Sequence, residues 1–221
     1  MSGFSWKWDF VWDILPSLMS GLKLTVLVTI FGMMLSVVIG LALIMLRLAK
    51  IPVVSLVTTW LVYLIRGTPL LIQLYFLFFI LPRYGITMSP LMTGIVGLGL
   101  YSGAMASEIY RAGIESIPRG QWEASLSLNL PLPWMWMRVI LPQAIRTVTP
   151  MLGNLLVVMF KDSALLSAIA VTEVLSAARQ VAQDNYRFIE PYTVVAFLFL
   201  IVSYLSVLGI RKLERWSTKR G

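Results

Sequence analysis

Long apolar runs alternate along this chain with short charged breaks. Five runs reach the length a membrane span needs, about 20 mainly apolar residues. The first, Leu24 to Leu46, ends at Arg47. The second, Val53 to Ile80, contains Arg66. The third, Leu91 to Ile109, is closed by Glu108, Tyr110 and Arg111. The fourth, Thr147 to Val171, is interrupted by Lys161, Asp162 and Ser163. The fifth is Thr193 to Ile210. The pattern predicts an all-α polytopic membrane protein with five transmembrane helices. Residues 1–17 mix Lys7, Asp9 and Asp13 with aromatics. That mixture predicts an amphipathic segment on the membrane surface, not a cleavable signal. Thr172 to Phe188 can be drawn as a second amphipathic helix on the outer surface.

Composition narrows the class. Of 221 residues, 58% are hydrophobic and 13% charged, with a mean hydropathy of +0.84. A soluble fold of this size cannot bury so much apolar surface, so a soluble enzyme or free DNA-binding module is excluded. There is no cysteine and no histidine. Thiol catalysis, disulfides, imidazole acid–base chemistry and thiolate or imidazole metal sites are therefore excluded. The net charge is +8, but the cations sit between and after apolar runs, where membrane orientation explains them without nucleic acid. With Arg66 and Lys161 left out, one face receives Lys7, Lys23, Arg83, Arg179 and Arg187. The other receives Arg47, Lys50, Arg111, Arg119, Arg138, Arg146, Arg211, Lys212, Arg215, Lys219 and Arg220. This imbalance predicts an extracytoplasmic N-terminus and a cytoplasmic C-terminus. The 111–146 segment then becomes a cytoplasmic loop.

That loop has readable local structure. Arg111 can pair with Glu108 at i+3 and Glu115 at i+4, which carries a helix past the membrane edge. Pro118 and Gly120 break it. Gln121 to Leu128 predicts a short helix with Glu123 in its first turn, where an acid suits the dipole. Asn129 stands where the chain must leave the helix, in the place of a left-handed cap. Pro131 and Pro133 prevent the helix from resuming.

Glu123-Ala124-Ser125, then Asn129, then Val139, Leu141 and Pro142 match the spacing of a known pattern. The stretch resembles the coupling loop of ATP-binding-cassette (ABC) importer permeases: EAA, three residues, Gly, nine residues, Ile, one residue, Leu-Pro. Ser125, Asn129 and Val139 depart from it while keeping its size or backbone requirement. Arg66-Gly67-Thr68-Pro69 with the following Leu-Leu-Ile-Gln is similar to the polar amino-acid branch. So are residues 107–113, 118–121 and 161–163. Residues 185–193, from Asn185 to Thr193, also resemble permeases for ectoine-type compatible solutes. The resemblance implies a type I ABC importer transmembrane fold over residues 18–213, followed by a basic tail at 214–221, in a bacterial inner membrane. It implies a separate ATPase dimer that uses ATP and magnesium, a second permease chain (sister or identical), and an extracytoplasmic solute-binding protein. No cofactor belongs to this chain. Glu123, Ala124, Ser125, Asn129, Leu141 and Pro142 would form the joint to the ATPase.

Charge inside the membrane is costly and usually faces protein or water. Arg66 lies near mid-depth of the second run, followed by Gly67 and Pro69, and Lys161 and Asp162 interrupt the fourth. Broken helices with charges at matching depth point to a transporter binding site. Arg66 suits a carboxylate and Asp162 an amino group, with hydroxyls from Thr68, Ser102 and Ser163. The residues equally allow a structural Arg66–Asp162 or Lys161–Asp162 ion pair. Gly94, Gly97, Gly99 and Gly103 predict tight helix packing, within the chain or at a dimer seam. The basic tail suits anionic lipid. No phosphate-binding G-x-x-x-x-G-K-[ST] motif occurs, and no nucleophile–base or paired-carboxylate site is present, so the chain is not read as an enzyme. The competing reading is a small oligomeric ion-coupled transporter that uses Asp162.

Overall fold

A computed structural model describes residues 5–49 and 51–218, with side chains as far as residue 212. The side chains of the 214–221 tail lie outside the described residues. The helices are α1 (Trp8–Arg47), α2 (Pro52–Gly67), α3 (Leu70–Tyr75), α4 (Pro90–Glu115), α5 (Arg119–Ser127), α6 (Leu132–Trp134), α7 (Leu141–Asp162), α8 (Val174–Asn185) and α9 (Ile189–Thr218). Short π-helical and 3-10 segments continue α3 to Tyr84, join α6 to α7, and extend α7 to Ile169.

Among the described residues, three helical stretches are long and apolar enough to cross a membrane: Trp8–Arg47, Leu132–Ile169 and Ile189–Lys212. The second predicted span is a broken one. Pro52–Gly67 and Leu70–Tyr84 meet at a bend of 102°. Pro69 cannot donate the next helical hydrogen bond, and Thr68 is extended at φ −108 and ψ 139. The third predicted span is α4, 26 residues long. It is less apolar because the buried positions along it are largely glycine, serine, threonine and alanine. A helix wrapped by protein needs close packing more than lipid-facing leucine.

Side-chain neighbours give the helix directions. Gly32 lies by Leu98 and Gly40 by Ala106, so α1 runs parallel to α4. Gly94 meets Leu166 and Gly113 meets Val148, so α7 runs antiparallel to α4. Gly153 meets Ile210, and the rings of Phe160 and Phe199 lie 5.0 Å apart, so α9 runs antiparallel to α7. Arg47, Arg111, α5 and Arg211 therefore share one end of the bundle, the basic end. The close approaches are tight: a Cβ on Gly97 would come within 2.5 Å of Leu74, and one on Gly103 within 2.6 Å of Ile39. Gly94 and Gly99 likewise meet Leu166 and Leu35. The glycine row thus packs inside this chain and does not form a seam for a second copy.

The N-terminal segment differs from the sequence expectation. From Trp8 onward it is the first part of α1, a continuous 40-residue helix. At 1.5 Å per residue that is roughly 60 Å, twice the ~30 Å hydrocarbon core. Pro16 does not end it. Val11, Ile14 and Leu18, spaced three and four apart, are buried on one face. Ile14 and Leu18 pack against Val174, Ala177 and Ala178 of α8 and Val195 of α9, and this burial holds the helix through the proline. Arg187 ties the same region down. It pairs with the fully buried Glu190, donates to the carbonyl of Ser5 at 2.7 Å, and lies over the Phe10 ring.

The α8 helix is amphipathic, as its sequence predicts, and starts on Glu173. That carboxylate accepts from the N–H groups of Leu175 at 2.8 Å and Ser176 at 2.6 Å, an N-cap. The side chain is fully buried. Burial pushes its carboxyl up to about 7, against those two donors and Arg179, which pull it down. The N–H of Val174 donates to Thr25 Oγ1 at 3.1 Å and fastens α8 to α1.

Candidate functional site

At the basic end, α5 stands out from the bundle as the sequence predicts. Its inner side is held by aromatics. Trp122 meets Trp136 edge-to-face at 5.4 Å, against a small core of Ile117, Met135, Ile140 and Ala144. The Gln143 amide donates to Gln121 Oε1 at 3.3 Å. The helix ends in a Schellman motif. Asn129 has φ 48, its N–H donates to the Leu126 carbonyl at 2.9 Å, and the Leu130 N–H donates to the Ser125 carbonyl at 3.1 Å.

This arrangement sorts the predicted joint residues. Glu123, Ala124 and Asn129 are exposed on α5 and at its cap. Leu126 and Leu128 stand beside them, 64% and 73% exposed. Ser125 is turned inward, contrary to its expected docking role. It is 3% exposed and donates to the Gln121 carbonyl at 2.7 Å. The reason is helical spacing: Ser125 follows Trp122 by three residues and shares its inward face. Leu141 and Pro142 begin α7 directly after the π-helical segment Met135–Ile140, inside one helical stretch that starts at Leu132. Leu141 lies in a groove against the end of α1, away from the α5 surface.

The intramembrane charges are arranged differently from the sequence expectation. Neither proposed ion pair to Asp162 forms among the described residues. Arg66 instead lies 3.7 Å from Glu108. Glu108 also binds Arg47 at 2.5 Å and Arg111 at 2.8 Å, and Arg111 reaches Glu115 at 2.6 Å. The two Arg111 pairs follow from helix spacing. The Arg47 and Arg66 pairs come from other helices and gave no signal in the sequence. One carboxylate thus joins Arg47 at the end of α1, Arg66 in the last turn of α2 and Arg111 of α4.

Asp162 is elsewhere. The antiparallel pairing of α7 with α4 sets it level with Leu98. Ten residues of α4 separate that level from Glu108, roughly 15 Å of helix. Arg66 and Asp162 therefore do not converge on one small zwitterion in this structure. Asp162 is half-buried and Lys161 exposed. Two of the predicted hydroxyls are occupied. Ser163, fully buried, donates to the Phe160 carbonyl at 2.7 Å, and Thr68 donates to the Leu64 carbonyl at 3.0 Å. Ser102, 2% exposed, sits on the buried face of α4.

Gln73 is the residue sequence reasoning missed. Its amide donates to the Ile65 carbonyl at 2.7 Å, the Thr68 carbonyl at 3.2 Å and Thr68 Oγ1 at 2.7 Å. The break at Pro69 orphans carbonyls at the end of α2, and within a membrane no water is at hand to satisfy them. Gln73 does so, which makes the bend stable at that depth. A lone glutamine four residues after a proline in an apolar run was the available signal. Thr68, Gln73, Phe76 and Leu100 line a hollow of about 350 Å³ inside the bend.

The comparisons with known proteins agree with this architecture. Residues 32–218 match the family described as binding-protein-dependent transport system inner membrane component. A probable amino-acid ABC transporter permease protein of Sinorhizobium fredii is 36% identical over 99% of this chain and 97% of its own length. The L-cystine transport system permease protein of Bacillus subtilis is 36% identical over 96% of this chain and 92% of its own. A crystal structure of an amino acid ABC transporter with histidines superposes with a TM-score of 0.92 at 31% identity, over 96% of this chain and 99% of that one. On these grounds the chain belongs to the binding-protein-dependent transport system inner membrane components, as a multi-pass inner-membrane ABC importer permease of the kind found in amino-acid transporters.

Proposed function

We propose that this chain forms the translocation path of an importer for polar amino acids or amino-acid-derived zwitterions and is driven by a separate ATPase docked on α5. The observation that carries the coupling role is the exposed, capped α5: Glu123, Ala124, Leu126 and Leu128 face outward on a helix whose other side is pinned by Trp122 and Ser125. A joint that transmits a push needs a stiff base and a free docking face, and α5 has both. The excess of cations at its end supports a cytoplasmic placement, with α8 on the opposite side facing a solute-binding protein. ATP and magnesium belong to the ATPase. A second permease chain, sister or identical, completes the path. The names of the relatives support an amino-acid substrate. Within the membrane, Asp162 is the group offered to a substrate ammonium. Arg66 guards the basic end through Glu108.

The test is co-purification. The chain is tagged at its C-terminus and extracted gently from its own membrane beside the Glu123→Lys variant. The expected result is an ATPase that accompanies wild type and is lost with the variant, while the variant keeps its thermal stability. A chain that emerges alone in every mild detergent sinks the importer reading and makes proton-coupled transport through Asp162 the next hypothesis.

A further inference from the structure

Exposed side chains on the long apolar helices are of two kinds. On α1 from Leu27 to Leu46 every exposed residue is apolar, as a lipid-facing surface requires. On α7 from Thr147 to Lys161 the exposed residues are Thr147, Met151, Asn154, Val158 and Lys161. Their alternating steps of four and three put them on one helical face. Three of the five are polar, and one of those is charged. The side chains of Asn154 and Lys161 have no hydrogen-bond or ion-pair partner among the described residues. A polar face of this kind within a membrane looks onto water or protein, not lipid.

Lys161 also stands deep. The ring of Phe160, the residue before it, lies 5.0 Å from that of Phe199. Phe199 is ten residues from the start of α9 at Ile189 and twelve from Arg211 at the basic end. Ten residues of helix span roughly 15 Å, half of the ~30 Å hydrocarbon core. No lipid headgroup stands at that depth, so a cation there calls for water or for an anion inside the protein.

Neighbouring charges narrow the anion. Asp162, the next residue, carries the opposite sign, and the two do not pair with each other. Successive helical residues point about 100° apart from Cα atoms 3.8 Å apart. A cation and an anion therefore stand side by side at one level without closing on each other. An amino acid carries its ammonium and carboxylate on one carbon and presents the same two charges. Arg66, the other intramembrane cation, is drawn to Glu108, roughly 15 Å along the bundle from Asp162. Tyr192 and Ser203 of α9 line a hollow of about 550 Å³ beside Lys161. The Ser203 hydroxyl is buried there with no hydrogen-bond partner among the described residues, and an anion held by Lys161 supplies one.

We propose that Lys161 binds the carboxylate of the transported zwitterion while Asp162 takes its ammonium, on a wetted face of α7 that Asn154 and Thr147 continue toward the basic end. This role rests on the zwitterion import and the part of Asp162 proposed above. It gathers both charges of the site onto one turn of α7.

The test uses the transporter assembled with its ATPase, reconstituted in proteoliposomes and supplied with its solute-binding protein. The probe is an equimolar mixture of the protein amino acids with ectoine, and accumulated solutes are identified by mass spectrometry. Wild type is expected to accumulate at least one of them. Lys161→Met is expected to lower that uptake about ten-fold or more, the loss of one charge-assisted hydrogen bond. Its Tm is expected to hold or rise, because no partner is lost and an intramembrane charge is removed. Lys161→Arg keeps a cation that binds carboxylates and is expected to stay within about three-fold of wild type. The chain contains no cysteine, so Asn154→Cys gives it a single thiol. A charged thiol reagent is expected to modify that thiol in the proteoliposomes and to leave Phe31→Cys, on the apolar face of α1, unmodified. No uptake of any probe by wild type would overturn the import reading and this role together. Uptake that persists in Lys161→Met, a fall in its Tm, or an unreactive thiol in Asn154→Cys would overturn the role of Lys161 and leave import standing.

Discussion

The exposed α5 loop and the charge cluster around Glu108 are built in opposite ways. The α5 loop is local. Asn129 in the left-handed region and the hydrogen bonds from Asn129 and Leu130 span at most five residues. The cluster is not. Arg47 and Glu108, 61 residues apart, meet at 2.5 Å, and Arg66 arrives from a third helix. Local structure leaves α5 exposed, whereas long-range pairing locks helices together. The unpaired charge is then the informative one. Glu108 is consumed by three arginines, while Asp162 has no ion-pair partner among the described residues.

The comparison breaks first at Glu108. Glu108→Ala strands Arg47, whose side chain is only 10% exposed. Removing one partner of a buried pair costs about 3–5 kcal/mol, read as a fall in the Tm of the purified transporter. Arg66→Ala is expected to cost about 0–1 kcal/mol, because that pair is long at 3.7 Å and its arginine 36% exposed. Equal losses from the two variants would show that Glu108 does not hold the three helix ends.

A smaller effect is expected at the cap. Asn129→Ala places a side chain with no local hydrogen-bonding capacity at φ 48 and is expected to cost about 1–2 kcal/mol, confined to α5. Asn129→Gly relieves the same strain and is expected to be neutral or slightly stabilising. Hydrogen exchange at the Asn129 and Leu130 amides measures both. Protection that stays the same in the alanine variant would mean that α5 is held by the Trp122–Trp136 contact alone.

The smallest stability effect is expected at Asp162. With no ion-pair partner to lose among the described residues, Asp162→Asn should change stability by no more than about 0.5 kcal/mol, yet abolish uptake in proteoliposomes. A fall in Tm like that of Glu108→Ala, with transport retained, would make Asp162 a structural residue and remove it from the translocation path.

Several features were legible in the residue order because their causes lie within a few residues. Apolar run length places the spans. Pro69 requires a break, and the Lys161-Asp162-Ser163 interruption marks where α7 ends, at Asp162. Helix spacing pairs Arg111 with Glu108 and Glu115. Asn129 stops α5, whereas Pro131 and Pro133, expected to keep the helix from resuming, instead stand at the N-cap and in the first turn of the helical stretch that restarts at Leu132. The tertiary structure decided what depends on distant neighbours. It carried α1 through Pro16 by burying Ile14 and Leu18 under α8 and α9. It opened the Pro69 break to 102° and capped it with Gln73. It turned Ser125 inward beneath α5. It also gave Arg66 to Glu108 and left Asp162 without an ion partner among the described residues. Local hydrogen bonds and turn preferences are written in neighbouring residues. Which charge meets which across a bundle is set by helix packing, and packing is a property of the whole chain.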